Sequence, residues 1–166
     1  MKGVVEHQAE APALLLRAGD AVVVMRGRPR SLVISCPCGC GVLHPINLDD
    51  RSGPAWRLYS TKESQVSLFP SVWRTEGCKS HYIIWHGRVL LFDGRGGDRI
   101  EPPIKVDIQR RAKLMAALTR KFQTLLAIAD DVGEIPWDTL DALRILKAEG
   151  LIEEGRESRE SQFRLR

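Results

Sequence analysis

Residues 31–48 read SLVISCPCGCGVLHPINL, and this stretch decides how the fold is interpreted. It begins as an apolar strand and then carries three of the four cysteines at every second position: Cys36, Cys38 and Cys40. A regular strand places such residues on one face, and Gly39 and Gly41 allow the bend that brings neighbouring sulfurs together. The stretch therefore predicts a β domain that is built around a cysteine cluster.

A second segment, EGCKSH, supplies the fourth cysteine and a histidine in a C-x-x-H arrangement. Zinc sites in proteins use four thiolate or imidazole ligands, commonly from two separate segments. Five candidates therefore compete for four places: Cys36, Cys38, Cys40, Cys78 and His81. A thiolate and imidazole set without redox motifs favours Zn²⁺ over iron. An inert buried cluster and a dithiol redox site are the alternatives, although no C-x-x-C begins a helix.

The role of the metal stays open from the sequence alone. A hydrolytic zinc ion needs an open position for water and a nearby base, and there is no H-E-x-x-H here. A thiolate-rich shell donates electrons and weakens the Lewis acid, which favours a structural ion. Deaminases do carry catalytic zinc on thiolates, but PCGC lacks one residue of their P-C-x-x-C signature.

If the metal is structural, the chemistry must come from other side chains. Ser71 in FPSVW and Ser80 beside His81 are candidate nucleophiles, with His44, His81 or His86 as the base. Each serine is by itself more typical of a turn or a cap. Likewise, His44 alone is most typical of a strand end.

The pentapeptide RGRPR carries two arginines, Arg28 and Arg30, that could bind the carboxylate of a substrate. The same letters resemble a minor-groove AT-hook. Because they lie between two apolar strands, they are more typical of a constrained turn.

Length and composition are those of one globular domain with a small appendage. The chain has 166 residues, 43% of them hydrophobic and 28% charged, and a net charge of +4. A net charge this small does not favour nucleic-acid binding. No apolar run approaches the roughly 20 residues that cross a bilayer, and the run APALLL is too short for a signal peptide. We therefore expect a cytoplasmic protein with no membrane partner.

The order of predicted elements gives an α+β fold. Residues 1–95 form a small, mainly β domain stapled by zinc, in which IIWHGRVLLF reads as a hairpin. A Gly- and Pro-rich linker follows over 96–106. Residues 107–166 form a helical C-terminal unit with a winged-helix-like order, ending in a hairpin.

Two helices are expected in the C-terminal unit, over 107–129 and 137–149. Pro136 suits the start of the second helix and Gly150 suits its end. The first is basic and the second acidic, so their charges are expected to complement each other. An acidic second helix also argues against DNA recognition.

Three quoted segments together resemble a known family: RGRPRSLVISCPCGCG, INLDDRSGPAWRLY and LFPSVWRTEGCKSHYIIWHGRVLLF. They are similar to the E-component peptidase family of bacterial ubiquitination-like (Bub) operons, formerly a domain of unknown function. The resemblance covers roughly residues 20–92. It implies a peptidase that trims or removes a ubiquitin-like protein, alongside E1- and E2-type enzymes, in a pathway linked to phage defence. The resemblance identifies the four cysteines and His81 as motif positions. It does not distinguish the residues that bind the metal from those that are catalytic.

Two hypotheses follow from the residues and the resemblance together. The first is a zinc-binding peptidase acting at the end of a ubiquitin-like protein. The second is a non-catalytic zinc-stapled module whose winged-helix-like tail docks another protein.

Overall fold

The computed structural model describes these parts of the chain: residues 1–60, 65–92, 106–157 and 160–166. The fold is α+β, as the sequence predicts, with two small β-sheets beside a four-cysteine cluster and then helices with a three-stranded sheet. It divides into two compact units, Met1–Arg99 and Ile100–Arg166. The linker predicted over 96–106 lies almost entirely outside the described residues, so that boundary stays a prediction. Among the helices of the described residues, none combines the length and the hydropathy that a membrane span requires.

The first sheet has four strands in sequence order: β1 (Gly3–Val5), β2 (Ala21–Met25), β3 (Pro29–Ser35) and β4 (Leu43–Asn47). β1 pairs parallel with β2, and the other neighbours are antiparallel. Strand β2 reads AVVVM because both of its faces are buried. A 3-10 segment, Gln8–Ala13, covers one face, where Ala11 packs with Val22 and Val24. The RGRPR turn connects β2 to β3, as predicted.

The second sheet is fully antiparallel and also runs in sequence order: β5 (Arg57–Ser60), β6 (Val66–Trp73), β7 (His81–Trp85) and β8 (Arg88–Leu91). The hairpin predicted in IIWHGRVLLF is confirmed, since Trp85 pairs with Arg88 across a two-residue turn. His86 and Gly87 both have positive φ, at 47° and 73°, which the primed hairpin turns require.

One apolar core joins the two sheets. Ten buried residues form it: Ala21, Val23, Leu32, Ile34, Ile46, Val66, Leu68, Val72, Tyr82 and Ile84. Because side chains alternate along a strand, the neighbours of Val72 and Tyr82 must point to the opposite face of the second sheet. Ser71, Trp73 and His81 therefore lie on the outer face of that sheet.

The second unit contains α1 (Ile108–Ala117), β9 (Gln123–Thr124), α2 (Leu125–Val132), α3 (Pro136–Ala148), β10 (Ile152–Glu157) and β11 (Glu160–Leu165). Its sheet has the order β10-β11-β9, so the last strand lies between the other two. Three helices and such a sheet, in this chain order, are the arrangement of a winged helix. The predicted second helix and C-terminal hairpin are confirmed, with Ile152 and Phe163 buried in the core.

The single helix predicted over 107–129 is wrong, because the chain leaves the helix at Leu118. The Gln123 side chain donates to Ala117 O and accepts from Thr119 N, which closes the end of α1. Gln123 and Thr124 then pair with β11, and the Thr124 hydroxyl accepts from Ala127 N to begin α2. The apolar spacing continues across the break, so periodicity alone does not reveal it.

Complementary charges of the second unit meet as ion pairs within that unit. Arg110 forms a bidentate pair with Glu134, at 2.9 and 2.7 Å, and Arg111 lies 2.7 Å from Glu149. Two arginines of the basic first helix are therefore paired with acidic residues that follow it, in line with the sequence prediction.

Candidate active site and metal centre

The four cysteines come together at one end of the first unit. Their four Sγ atoms all lie within 4.8 Å of one another, and none forms a disulfide. Cys36 follows β3 directly and is buried, whereas the other three are exposed: Cys38, Cys40 and Cys78. His81, the fifth candidate ligand, is not part of this group.

Glycine turns in the β3–β4 connection explain how alternate residues converge. Gly39 and Gly41 have φ of 81° and 77°, a conformation that disfavours other residues. Gly39 N donates to Cys36 O at 3.1 Å, and Cys36 N donates to Val42 O at 2.9 Å. The chain folds back over itself, and its three sulfurs face one point instead of following a straight strand.

The β6–β7 connection brings the fourth sulfur to the same point. Arg74 N donates to Ser80 O at 2.9 Å and closes a loop over residues 74–80. Gly77 turns within it at φ 67°. Cys78 Sγ consequently lies 3.6 Å from Cys36 Sγ.

The geometry of the sulfurs fits a tetrahedral metal ion. Zinc–sulfur bonds of about 2.3 Å place tetrahedral sulfurs about 3.8 Å apart. The sulfurs of Cys36 and Cys38 are 3.3 Å apart, those of Cys36 and Cys78 are 3.6 Å apart, and all four lie within 4.8 Å of one another. The four cysteines can therefore hold a metal without moving far.

Two neighbouring side chains favour the thiolate form of the cluster. The Ser80 hydroxyl, which is buried, lies 3.2 Å from Cys36 Sγ and 3.5 Å from Cys78 Sγ. Its hydrogen bond lowers the pKa of Cys78 to about 5. The Arg74 guanidinium donates to Cys78 Sγ at 3.3 Å, and its hydrogen bond to Cys36 raises the pKa of Arg74. Desolvation beside the other sulfurs raises the pKa of Cys38, so the thiols do not ionise equally.

His81 lies on the outer face of the second sheet, away from the cysteines. Its ring contacts Trp73, at a centroid distance of 5.7 Å, and Phe92, at 5.0 Å. Its Nε2 atom is buried and has no hydrogen-bond partner among the described residues. Buried polar atoms in proteins nearly always have a partner, so this nitrogen is a candidate functional group.

Ser71 lies on the same face, on the strand next to His81. Trp73 pairs with His81, and Ser71 precedes Trp73 by two residues. Alternation along β6 from Val72, which faces the core, assigns Ser71 to this outer face. The ladder is irregular between Leu68 and Val72, and such irregularities redirect side chains next to functional sites. The Ser71 carbonyl accepts from Trp56 Nε1 at 3.3 Å.

Of the remaining candidates, His86 lies in the β7–β8 turn, where its backbone N donates to Ser67 Oγ at 2.9 Å, and Ser80 and His44 lie on the inner side of the second sheet. Ser80 bonds the cysteine sulfurs, as described above. His44 Nδ1 lies 3.0 Å from the hydroxyl of Tyr82, which is buried. Burial, and then the charge of Arg74, lowers the pKa of His44, so this imidazole is neutral at neutral pH. The structure therefore separates Ser71 and His81 from Ser80 and His44.

The arginines of the RGRPR turn have different surroundings. Arg30 forms an ion pair with Asp49, a carboxylate of the same chain that is only 4% exposed. Arg51 donates to both carboxylate oxygens of Asp49 through two nitrogens, at 2.9 and 3.0 Å. Arg30 thus binds the carboxylate of Asp49 within the fold, whereas Arg28 takes part in the turn through its backbone carbonyl.

Sequence reasoning did not identify Arg74, Tyr82 or Asp49. Arg74 could have been noticed four residues before Cys78, since cations often accompany thiolate clusters. Tyr82 carries no local signal, because its partner His44 lies 38 residues away, and the pairing of Asp49 with Arg30 likewise spans 19 residues.

Comparison with known protein families identifies the class of protein to which the chain belongs. Residues 7–92 match the family described as bacterial ubiquitination-like system serine protease, which is 86 of the 166 residues. The chain therefore belongs to the BubE family and is a protease component of a bacterial ubiquitination-like system. This confirms the resemblance and favours the peptidase over the non-catalytic module. No curated protein and no solved structure matches the chain.

Proposed function

We propose that this chain is a serine peptidase that processes or deconjugates a ubiquitin-like protein, with Ser71 as nucleophile and His81 as base. In this proposal the four cysteines hold a structural zinc ion. The observation that carries it is the buried Nε2 of His81, which lacks a partner among the described residues on the face that also holds Ser71.

Ser71 is preferred to Ser80 because of what each hydroxyl contacts. The Ser80 hydroxyl lies at hydrogen-bonding distance from two sulfurs and is buried there. A nucleophile needs a hydroxyl that can donate to a base, and the base adjacent in sequence, His81, points to the opposite face. Ser71 is half-buried and lies on the His81 face.

His81 is preferred to His44 for a parallel reason. His44 already bonds Tyr82 through Nδ1 and lies toward the cysteine side. Trp73 and Phe92 contact the His81 ring, hold its orientation and limit the access of water to it.

The proposed reaction follows the usual steps of a serine protease. His81 Nε2 takes the Ser71 proton as Oγ attacks the carbonyl carbon, and then returns the proton to the leaving amine. Water hydrolyses the acyl-enzyme in the same way.

A structural role suits the metal because four thiolates complete a tetrahedral shell. Structural zinc sites are closed in this way, whereas catalytic sites keep one position for water. When bound, the ion supplies a cross-link between the β3–β4 and β6–β7 connections. Cys36, Cys38, Cys40 and Cys78 would hold it.

The family description, a serine protease of a bacterial ubiquitination-like system, supports a ubiquitin-like substrate. E1- and E2-type partner enzymes and a role in phage defence are part of the proposal. The end of such a protein is an extended chain, which a protease can bind by β-strand pairing. Arg28 is the remaining candidate for orienting that chain, since Arg30 is paired with Asp49.

The test uses the full chain, loaded with zinc, and a serine-directed fluorophosphonate, whose fluoride the activated serine oxygen displaces. Intact mass should show one adduct, and peptide mapping should find it on Ser71. Ser71→Ala and His81→Ala should abolish both the adduct and cleavage of a ubiquitin-like precursor. Ser52→Ala, an exposed serine, is the control and should keep both. An adduct on Ser80, or cleavage that survives Ser71→Ala, would overturn the assignment.

A further inference from the structure

We propose that Arg74, assisted by Ser80, is a positioning residue of the metal centre that determines how tightly the ion is held. This inference rests on the metal centre of the proposed function and adds the residue that offsets its charge. Four thiolates around Zn²⁺ leave a net double negative charge, which is costly in a partly buried site unless donors or cations stabilise it.

The guanidinium of Arg74 contacts sulfurs from both segments of the site. Its Nη1 atom lies 3.3 Å from Cys78 Sγ and 3.9 Å from Cys40 Sγ. Cys40 belongs to the β3–β4 connection and Cys78 to the β6–β7 connection. One cation therefore bridges the two halves of the ligand set.

The loop over residues 74–80 holds this guanidinium in place. A Cβ atom on Gly77 would lie 3.6 Å from Arg74 Nη2, so the guanidinium lies directly over the glycine. The backbone of Arg74 is tied to Ser80, whose hydroxyl contacts Cys36 and Cys78. The backbone hydrogen bond between Arg74 and Ser80 thus places both side chains against the cluster.

Charge and hydrogen bonds of this kind have known consequences for metal sites. Residues that bond the ligands orient them and tune the metal, and replacing one costs about 10–100-fold in affinity. Arg74 is half-buried, so solvent screens its charge less than that of an exposed side chain. Lys79 provides the matched comparison, because it lies in the same loop, is exposed and carries the same charge.

The test measures zinc affinity of the full chain by competition with a chelator of known affinity. Arg74→Gln should weaken zinc binding by about 10–100-fold. Arg74→Lys should recover part of the lost affinity, because it keeps the positive charge but not the planar guanidinium group with its several N–H donors. Ser80→Ala should also weaken binding. Lys79→Gln should leave the affinity close to that of the original chain.

Cobalt substitution separates the possible outcomes. All variants should keep the intense thiolate-to-cobalt absorption, which reports that the four ligands are unchanged. Equal affinity of Arg74→Gln and the original chain would overturn the inference. If the original chain takes up no zinc, the metal centre itself is refuted. If Arg74→Gln does not fold, the zinc affinities of Arg74→Lys and Ser80→Ala test the inference instead. Normal zinc affinity in both variants would overturn it.

Discussion

Trp73 and His81 are register partners of β6 and β7, and their rings lie 5.7 Å apart between centroids. The imidazole is half-buried, whereas Trp73 is 62% exposed. A side chain this exposed contributes little to the core, and its ring contact places Trp73 beside the proposed base.

Trp73→Ala should therefore lower peptidase activity more than stability. We expect the free energy of unfolding to change by less than about 0.5 kcal/mol, as for other exposed positions. The value of kcat/KM on a ubiquitin-like precursor should fall by about 10- to 100-fold, because the imidazole loses its orientation. Trp73→Phe, which keeps an aromatic contact, should recover most of the activity. Full activity in Trp73→Ala would contradict the role given to this pair.

Removal of the metal should loosen the first unit. Structural zinc contributes folding free energy directly, so chelation should lower the melting temperature and increase hydrogen exchange in residues 31–48 and 74–81. Residues 107–166 contain no cysteine and serve as the internal control. Metal analysis should find one zinc per chain, and Cys78→Ser should reproduce the effect of chelation. Unchanged exchange in both segments after chelation would argue against a structural ion.

Thr124→Ala should destabilise the C-terminal unit at the start of α2. The Thr124 hydroxyl accepts from Ala127 N at 3.2 Å, and loss of such a cap costs about 1 kcal/mol. Hydrogen exchange in the peptides of residues 107–166 would measure the loss. Thr124→Ser keeps the hydroxyl and should behave almost like the original chain. Equal exchange in the Ala and Ser variants would show that the cap is not needed.

Acid should weaken the C-terminal unit through Glu154. Its hydrogen bond with Lys147, at 2.5 Å, lowers the pKa of this carboxyl below the ordinary value of 4.5, and Ser161 adds to the effect. A carboxyl whose pKa is lower in the folded state stabilises the fold above 4.5, and this contribution is lost as the pH falls through the folded pKa.

Lys147→Gln should remove that part of the acid dependence. The pair is partly exposed, so its contribution at neutral pH should be about 0.2–1 kcal/mol. Hydrogen exchange of residues 107–166, measured at neutral and acidic pH, would report it. If the variant and the original chain lose stability equally in acid, Glu154 is not responsible.

Short-range patterns account for what could be predicted about the fold. The His86–Gly87 hairpin, the Pro136 start of α3 and the C-terminal hairpin each depend on residues close in sequence. The glycines of CPCGCG likewise predicted a bend, and the sulfurs do converge. The break after α1 escaped prediction because it depends on a pairing with β11, about forty residues further on.

The candidate site divides in the same way. The cysteines and His81 were identifiable from residue type and spacing. The separation of His81 from the cysteines was not identifiable from the sequence. Adjacent residues of a strand point to opposite faces, and only the packing of the core shows which face is buried. Tyr82 enters the core, so Ser80 turns to the sulfurs and His81 turns outward.

Residue types and spacing were enough to predict that cysteines from two segments, with His81 as a fifth candidate, would meet in a small β domain followed by helices. The packing of the two sheets was needed to show that the four sulfurs cluster without His81, that Arg74 and Ser80 contact those sulfurs, and that His81 lies on the opposite face from Ser80. The physical reason is that turns and strand periods are local properties of the chain. Which side chains meet across neighbouring strands depends on the packing of one sheet against the other.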